Sequence, residues 1–286
     1  MAGVTDTAGV SVEFWGVRGS CPCPAPENNR YGGNTAAVVV NAPGEPPLML
    51  DLGTGLRQFG RTQPVDGTFK ATCLLTHLHW DHVQGLPFFP PIDRPGAQLD
   101  IYAPAQPGER LGEAFGRLMT PPFFPITYTD LRGDIRWHGI ADEDFAIPGG
   151  KVKARSVPHC GDTAGYRIEI GGKSIAYISD HQAPEALDRV DDRVLELCDG
   201  VDLLIHDAQY TPEEFQERIT WGHCTVDYSV LVARESGARH LVLFHHDPGH
   251  DDEMLDGLLE GARRTAARLG VETVSSAYEG LVIELA

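Results

Sequence analysis

The 286-residue sequence is poor in positive charge. Its 23 Lys and Arg stand against 41 Asp and Glu, a formal balance of −18 with His neutral. That balance excludes a protein that wraps nucleic acid with its general surface, because phosphate binding needs clustered cations. It equally excludes electrostatic docking on an anionic membrane. No run approaches 18 apolar residues, so nothing reads as a membrane span. The opening residues, MAGVTDTAGVSVEF, lack the basic and apolar regions of a secretory signal. Six cysteines are scattered (Cys21, Cys23, Cys73, Cys160, Cys198 and Cys224) and no CxxC pair exists. They read as reduced thiols of a cytoplasmic protein, not as a disulfide frame. Cys21 and Cys23 stand too close together for an ordinary zinc knuckle and read as structural. Repeats, low-complexity stretches and linkers are also missing, so residues 1–286 read as one domain with a sizeable core.

Short apolar runs separated by turn signals are abundant. They predict strands at Val10–Phe14, Ala36–Asn41, Leu48–Leu52, Ala71–Thr76, Leu99–Tyr102, Lys151–Val157, Tyr166–Ile170, Ser174–Ile178, Leu203–Ile205, Leu241–Phe244 and Leu281–Glu284. Helices are predicted at Pro184–Cys198, Thr225–Ser236 and Asp252–Leu269. Thr225 serves as an N-cap, and glycines follow the ends of the last two. Strands followed late in the chain by helices imply sheets sandwiched between helices, an α/β class. The proline- and aromatic-rich stretch Leu86–Tyr128 reads as an ordered loop, either packed on the core or walling a substrate pocket.

The 12 histidines are not scattered. Five predicted strands run into His or Asp: His77-Leu78-His79-Trp80-Asp81-His82, Pro158-His159, Ser179-Asp180, His206-Asp207 and His245-His246-Asp247. If neighbouring strands present these ends at one sheet edge, the polar groups converge on one site, where open α/β sheets bind ligands. His77-x-His79-x-Asp81-His82 is the strongest signal, with four potential ligands in six residues after an apolar run. An i, i+2 pair in an extended turn lets two imidazoles grip one ion, while Asp81 and His82 face a second. Imidazole and carboxylate suit zinc, and also manganese or iron.

With His159, Asp180 and His245 downstream, the motif series resembles that of the metallo-β-lactamase superfamily. Three local features resemble its branch of ribonuclease Z and small cyclic phosphodiesterases. These are Gly165-Tyr166, His206-Asp207-Ala208 and the turn Gly222-His223-Cys224-Thr225. The resemblance implies a four-layer αββα sandwich with a metal site at one edge. It implies that His77, His79 and His159 hold one ion, that Asp81, His82 and His245 hold another, and that Asp180 bridges them. Zinc is the first choice of metal. Two divalent ions about 3.5–4 Å apart share a hydroxide nucleophile and neutralise a phosphate. His223 is implied beside the leaving group, with Asp207 as its acidic partner where ribonuclease Z usually has Glu. The alternative role for Asp207 is to fix a metal ligand. Asp81, His223 and Asp207 are thus the candidate catalytic residues. Asp51 is implied to support the metal-binding turn. Arg18, Tyr31 and Asn34 read as turn residues, with substrate contact as the alternative, while His138, His181, His240 and His250 read as surface or supporting residues.

The resemblance also narrows the substrate. Ribonuclease Z carries a long arm for tRNA between the third His motif and the bridging Asp, and here two predicted strands fill that interval. The expected activity is therefore hydrolysis of a small phosphodiester such as a cyclic nucleotide, with no tRNA, no membrane and a homodimeric assembly. A thioester or lactone hydrolase of the same fold, or a non-catalytic metal-binding sensor, are the alternatives.

Overall fold

The computed structural model describes residues 9–285, so the reading of residues 1–8 as free of a secretory signal lies outside the described residues. β1 (Val10–Gly16), β2 (Ala37–Asn41) and β3 (Leu48–Leu50) pair antiparallel in succession. α1 (Leu56–Gly60), β4 (Lys70–Leu74), α2 (Trp80–Val83), β5 (Gln98–Pro104), α3 (Leu111–Gly116) and β6 (Asp134–Ile140) follow, with β3 to β6 parallel. β7 (Glu143–Ile147), β8 (Gly150–Ser156), β9 (Ala164–Ile170) and β10 (Lys173–Ile178) build a second antiparallel run. Then come α4 (Asp192–Cys198), β11 (Leu203–Asp207), α5 (Pro212–Glu217), α6 (Val226–Ser236), β12 (His240–Phe244), α7 (Asp252–Leu269) and β13 (Thr273–Ser276). β10 to β13 are parallel, and β14 (Val282–Leu285) returns to pair with β1.

The result is two seven-stranded sheets, ordered β14-β1-β2-β3-β4-β5-β6 and β13-β12-β11-β10-β9-β8-β7. Each sheet has three antiparallel pairings and then three parallel ones. Three apolar clusters account for the layering. One lies between the sheets and contains Val12, Phe14, Val38, Leu50, Tyr166, Ile205 and Phe244. A second packs β10 to β13 against α4, α6 and α7 through Ile178, Leu197, Leu204, Val230, Leu241 and Ala262. The third packs the first sheet against α1, α3 and the following loops through Met49, Phe59, Cys73, Leu99 and Phe115. Three interfaces make four layers, the αββα sandwich. Emptying one of these positions, for example Phe244→Ala, costs about 3–5 kcal/mol. β11 is buried at every position, as a central strand covered on both faces must be.

Every predicted strand forms. Of the predicted helices, Asp252–Leu269 forms with those bounds, capped by Asp251 and closed by Gly270 at φ +78°. Val226–Ser236 forms with Thr225 as its cap. The predicted helix Pro184–Cys198 is a correction: only Asp192–Cys198 is helical. Leu187 sits in the left-handed region at φ +52°, which breaks a helix, and the Asp191 side chain caps Arg193 N to start a new one. Within Leu86–Tyr128, Phe89, Ile92, Phe115 and Met119 are buried core, whereas Phe88 and Phe123 point to solvent. The interval between His159 and Asp180 is the β9–β10 hairpin, closed by Gly171 and Gly172.

Candidate metal centre

The ligand-bearing loops lie at one end of the two sheets because the strands deliver them there. β4 leads into His77 and α2, β8 into His159, β10 into Asp180, β11 into Asp207, and β12 into His245. The two sheets meet at this edge, and the side chains converge in overlapping groups. His77, His79 and His159 form one; Asp81, His82 and His245 form another; Asp180 joins His77 and His82 in a third and His159 and His223 in a fourth. In each group the donor atoms lie within 4.8 Å of one another. Asp180 stands in the middle. Its Oδ1 is 3.7 Å from His159 Nε2 and 3.9 Å from His77 Nε2, and its Oδ2 is 3.2 Å from His82 Nε2 and 3.6 Å from His245 Nε2.

The donors fit divalent cations. His77 Nε2 is buried and has no hydrogen-bond partner, so a lone pair there faces the cluster with nothing else to satisfy it. Burial, with His82 beside it, holds the His77 imidazole well below the ordinary histidine value; burial first and His159 second lower His79. Burial likewise lowers His159. Neutral imidazole is the form that binds a metal. Burial pushes the Asp180 carboxyl up, but attraction to His245, His82, His77 and His159 outweighs it and holds Asp180 well below the carboxylate range. At His82 the balance is reversed: burial lowers it, while Asp81, Asp180 and Asp51 raise it well above. At His245 burial again lowers it, while Asp180 and Asp81 raise it, so both His82 and His245 bring protons that a cation would displace.

Each imidazole is aimed by its other nitrogen. His82 Nδ1–H donates to Asp51 Oδ2 at 2.8 Å, and His159 Nδ1–H donates to the Gly222 carbonyl at 2.7 Å. Asp51 also accepts from Thr76 N, Thr76 Oγ1 and Tyr177 OH, so it supports the turn that carries His77 to His82. Such outer partners fix ring orientation around metals. Backbone strain gathers here too. Ser20, Asp51 and His245 have φ of +62°, +60° and +59°, and only one other described non-glycine residue is left-handed.

Asp207 and His223 meet: His223 Nδ1–H donates to Asp207 Oδ2 at 2.8 Å, so the missing methylene relative to Glu does not break the pair. Asp207 Oδ2 also accepts from His181 N. His223 Nδ1 is 3.8 Å from Asp180 Oδ1, which places the ring against the cluster. The neighbouring candidates are occupied by structure. His246 Nε2–H donates to the Ala277 carbonyl, and His250 is buried and joined to Glu214. Arg18 is buried on the carbonyls of Gly32, Asp247 and His250, Asn34 binds Glu279, and Tyr31 binds Asp256. Cys21 and Cys23 are free thiols.

Residues that the sequence did not flag also build the site. Ser20 N donates to Asp81 Oδ2 at 2.7 Å, and Gln209 Oε1 accepts from His245 Nδ1 at 2.9 Å. Gly19 and Gly222 pass so close to His245 and His159 that a Cβ on either would overlap the ring. Gly-Ser before a Cys-Pro-Cys turn was the available signal for the first pair. Nothing in the sequence singles out Gln209.

A family model for the Beta-lactamase superfamily domain matches residues 48–246, more than half of the chain and a span holding all seven candidate ligands. Ribonuclease Z of Haloarcula marismortui is 24% identical over 262 residues, covering 74% of this chain and 80% of that protein. A diphosphatase from the PhnP family superposes with a TM-score of 0.69 at 20% identity, covering 97% and 98% of the two chains. The short form of human tRNase Z superposes with a TM-score of 0.68 at 21% identity, covering 96% and 99%. These names do not favour the expectation that tRNA is excluded. No described helix is long and apolar enough to cross a membrane. The chain belongs to the metallo-β-lactamase superfamily, in its ribonuclease Z-like branch of metal-dependent hydrolases.

Proposed function

We propose that this chain, acting as one domain over its 286 residues, is a binuclear phosphodiesterase for a small diester such as a cyclic nucleotide. The observation that carries the reading is the Asp207–His223 pair, 2.8 Å apart and set against the ligand cluster. His77, His79 and His159 would hold one ion, Asp81, His82 and His245 the other, and Asp180 would face both, with zinc first and manganese or iron as alternatives. Bound divalent ions supply positive charge for a phosphate and an activated water. The chain's residues do the rest. His223 Nδ1 is committed to Asp207, which leaves Nε2 to donate a proton to the departing oxygen. Asp207 keeps that ring oriented. Asp51 holds the His82 ring, and Gly222 O holds the His159 ring.

Two features support a small substrate. The β9–β10 hairpin leaves no segment of arm length between His159 and Asp180. The −18 balance disfavours holding a long polyanion on the general surface. Trp80 and Trp221 flank the ligands His79, Asp81 and the turn to His223, and they are 69% and 62% exposed. Rigid exposed indoles beside a phosphate site suit stacking of a base. Exposed Phe88, Phe123 and Ile126 support a homodimer as the assembly.

The test compares leaving groups. With metal-loaded protein, His223→Ala should slow hydrolysis of a cyclic nucleotide by roughly 10²–10⁴-fold. It should slow bis(p-nitrophenyl) phosphate much less, because nitrophenolate departs without a proton. Inertness of fully metallated protein on every diester would end this reading, and cleavage of precursor tRNA in preference to cyclic nucleotides would end its small-substrate part. Unchanged turnover of His223→Ala on a thioester or lactone would favour a carbonyl hydrolase instead.

A further inference from the structure

Gln209 lies two residues beyond the end of β11 and is 2% exposed. Its backbone N–H and both side-chain polar atoms face the centre's supports. Its backbone N donates to Asp207 Oδ1 at 3.0 Å. Its Oε1 accepts from His245 Nδ1 at 2.9 Å, and its Nε2 donates to Ser20 Oγ at 3.2 Å. Ser20 N in turn donates to Asp81 Oδ2, and that oxygen is 3.1 Å from His245 Nε2. Gln209, Ser20, Asp81 and His245 thus close a ring. Two of its members, Ser20 and His245, carry left-handed backbones that need outside restraint.

The amide orientation decides a tautomer. With Oε1 toward His245, Nδ1 keeps its proton and Nε2 is the nitrogen left for a cation. The reverse orientation would aim an NH₂ at Nδ1 and leave a proton on Nε2, where a cation must bind. In the structure the first orientation holds, with Nε2 of Gln209 donating to the Ser20 hydroxyl. The other rings are aimed differently: His82 by the Asp51 carboxylate, His159 by a carbonyl, and His77 by the Thr76 hydroxyl, 3.0 Å from its Nδ1. Among these, His245 alone is aimed by a residue whose backbone N–H also binds the partner of His223.

We infer that Gln209 is a positioning residue that sets the tautomer and ring plane of His245 and joins the second ion's site to the Asp207–His223 pair. The inference rests on His245 belonging to the second ion's set. It predicts that the two ions respond differently to one buried substitution.

The test is titration of the full chain with cobalt(II), read by visible absorption of the bound ion and by metal content. Wild type should take two ions. Gln209→Leu should bind the first ion as wild type does and the second roughly 10–100-fold more weakly. Gln209→Glu, nearly isosteric, keeps the acceptor on Nδ1 and should hold the second ion at least as tightly as wild type. Equal weakening of both ions in Gln209→Leu, or no weakening, overturns the inference alone. So does a weaker second ion in Gln209→Glu, which decides the matter if the leucine variant fails to fold. Uptake of a single ion by wild type would overturn the binuclear reading and the inference with it.

Discussion

Two glycines give the first residue-scale prediction. A Cβ at Gly19 would overlap the His245 ring, and one at Gly222 would overlap His159 Nδ1 on a backbone already at φ +97°. Gly19→Ala should therefore weaken the ion held with His245, and Gly222→Ala the ion held with His159, each by at least about tenfold. Competition with a chelator, read for each ion separately, checks this; identical profiles for the two variants would contradict it. The sequence shows the seven candidate donors plainly, because metal chemistry restricts such donors to residues like His and Asp and strands present them at fixed spacings. It names Gly222 only as part of a turn, and it hides Gly19 and Gln209. A glycine's contribution is the space it leaves, and Gln209 meets His245 and Ser20 only across 36 and 189 residues of chain.

Strands were more legible than short helices: α1, α2, α3 and α5 escape the sequence reading, and α3 forms within the stretch Leu86–Tyr128 read as a loop. The eleven strands read from apolar runs all form, while β6, β7 and β13 escape the pattern. Each of the three is the edge of a sheet, with polar or exposed positions that blunt further pairing. α4 was read too long because Pro184 resembles a helix start, and only the φ of Leu187 shows otherwise. α4 also carries a testable tie to β8. Glu196 binds Lys153 Nζ at 2.9 Å and Arg155 at 3.0 and 2.9 Å. Hydrogen bonds from Arg155 and then Lys153 pull its carboxyl down to about 2. A carboxyl lowered by folding stabilises the protein above its unfolded value, and the contribution fades as pH falls from there toward 2. Because the group is 40% exposed, the contribution stays below about 1 kcal/mol. Urea midpoints should thus fall slightly for Glu196→Gln at pH 7, with the difference from wild type shrinking at pH 3. A difference that grows at low pH would refute the assignment.

At the scale of the molecule, charge is divided between an acidic exterior and a centre that gathers Asp51, Asp81, Asp180 and Asp207 with its histidines. Two consequences are measurable by calorimetry. Saturating zinc should raise Tm, since a ligand at 100 times its Kd adds about 2.7 kcal/mol, and a chelator should reverse it. Raising salt from low to physiological strength should raise Tm modestly by screening the −18 balance. A Tm indifferent to zinc would argue against a folded cation site.

The β9–β10 hairpin makes one end of the chain's central interval a harmless graft site and the other a gate. Its Gly171–Gly172 turn lies at the end of the strands remote from Asp180, and a side chain on Gly172 would meet open space. Residues 160–163 lie at the opposite end, directly after His159, and Gly161 also has free space around it. A flexible peptide spliced in at 171–172 should leave metal uptake and substrate range untouched. The same peptide spliced in at 161–162 would hang over the centre, so screening diesters of increasing length against both insertions would show whether substrate size is set by a single port.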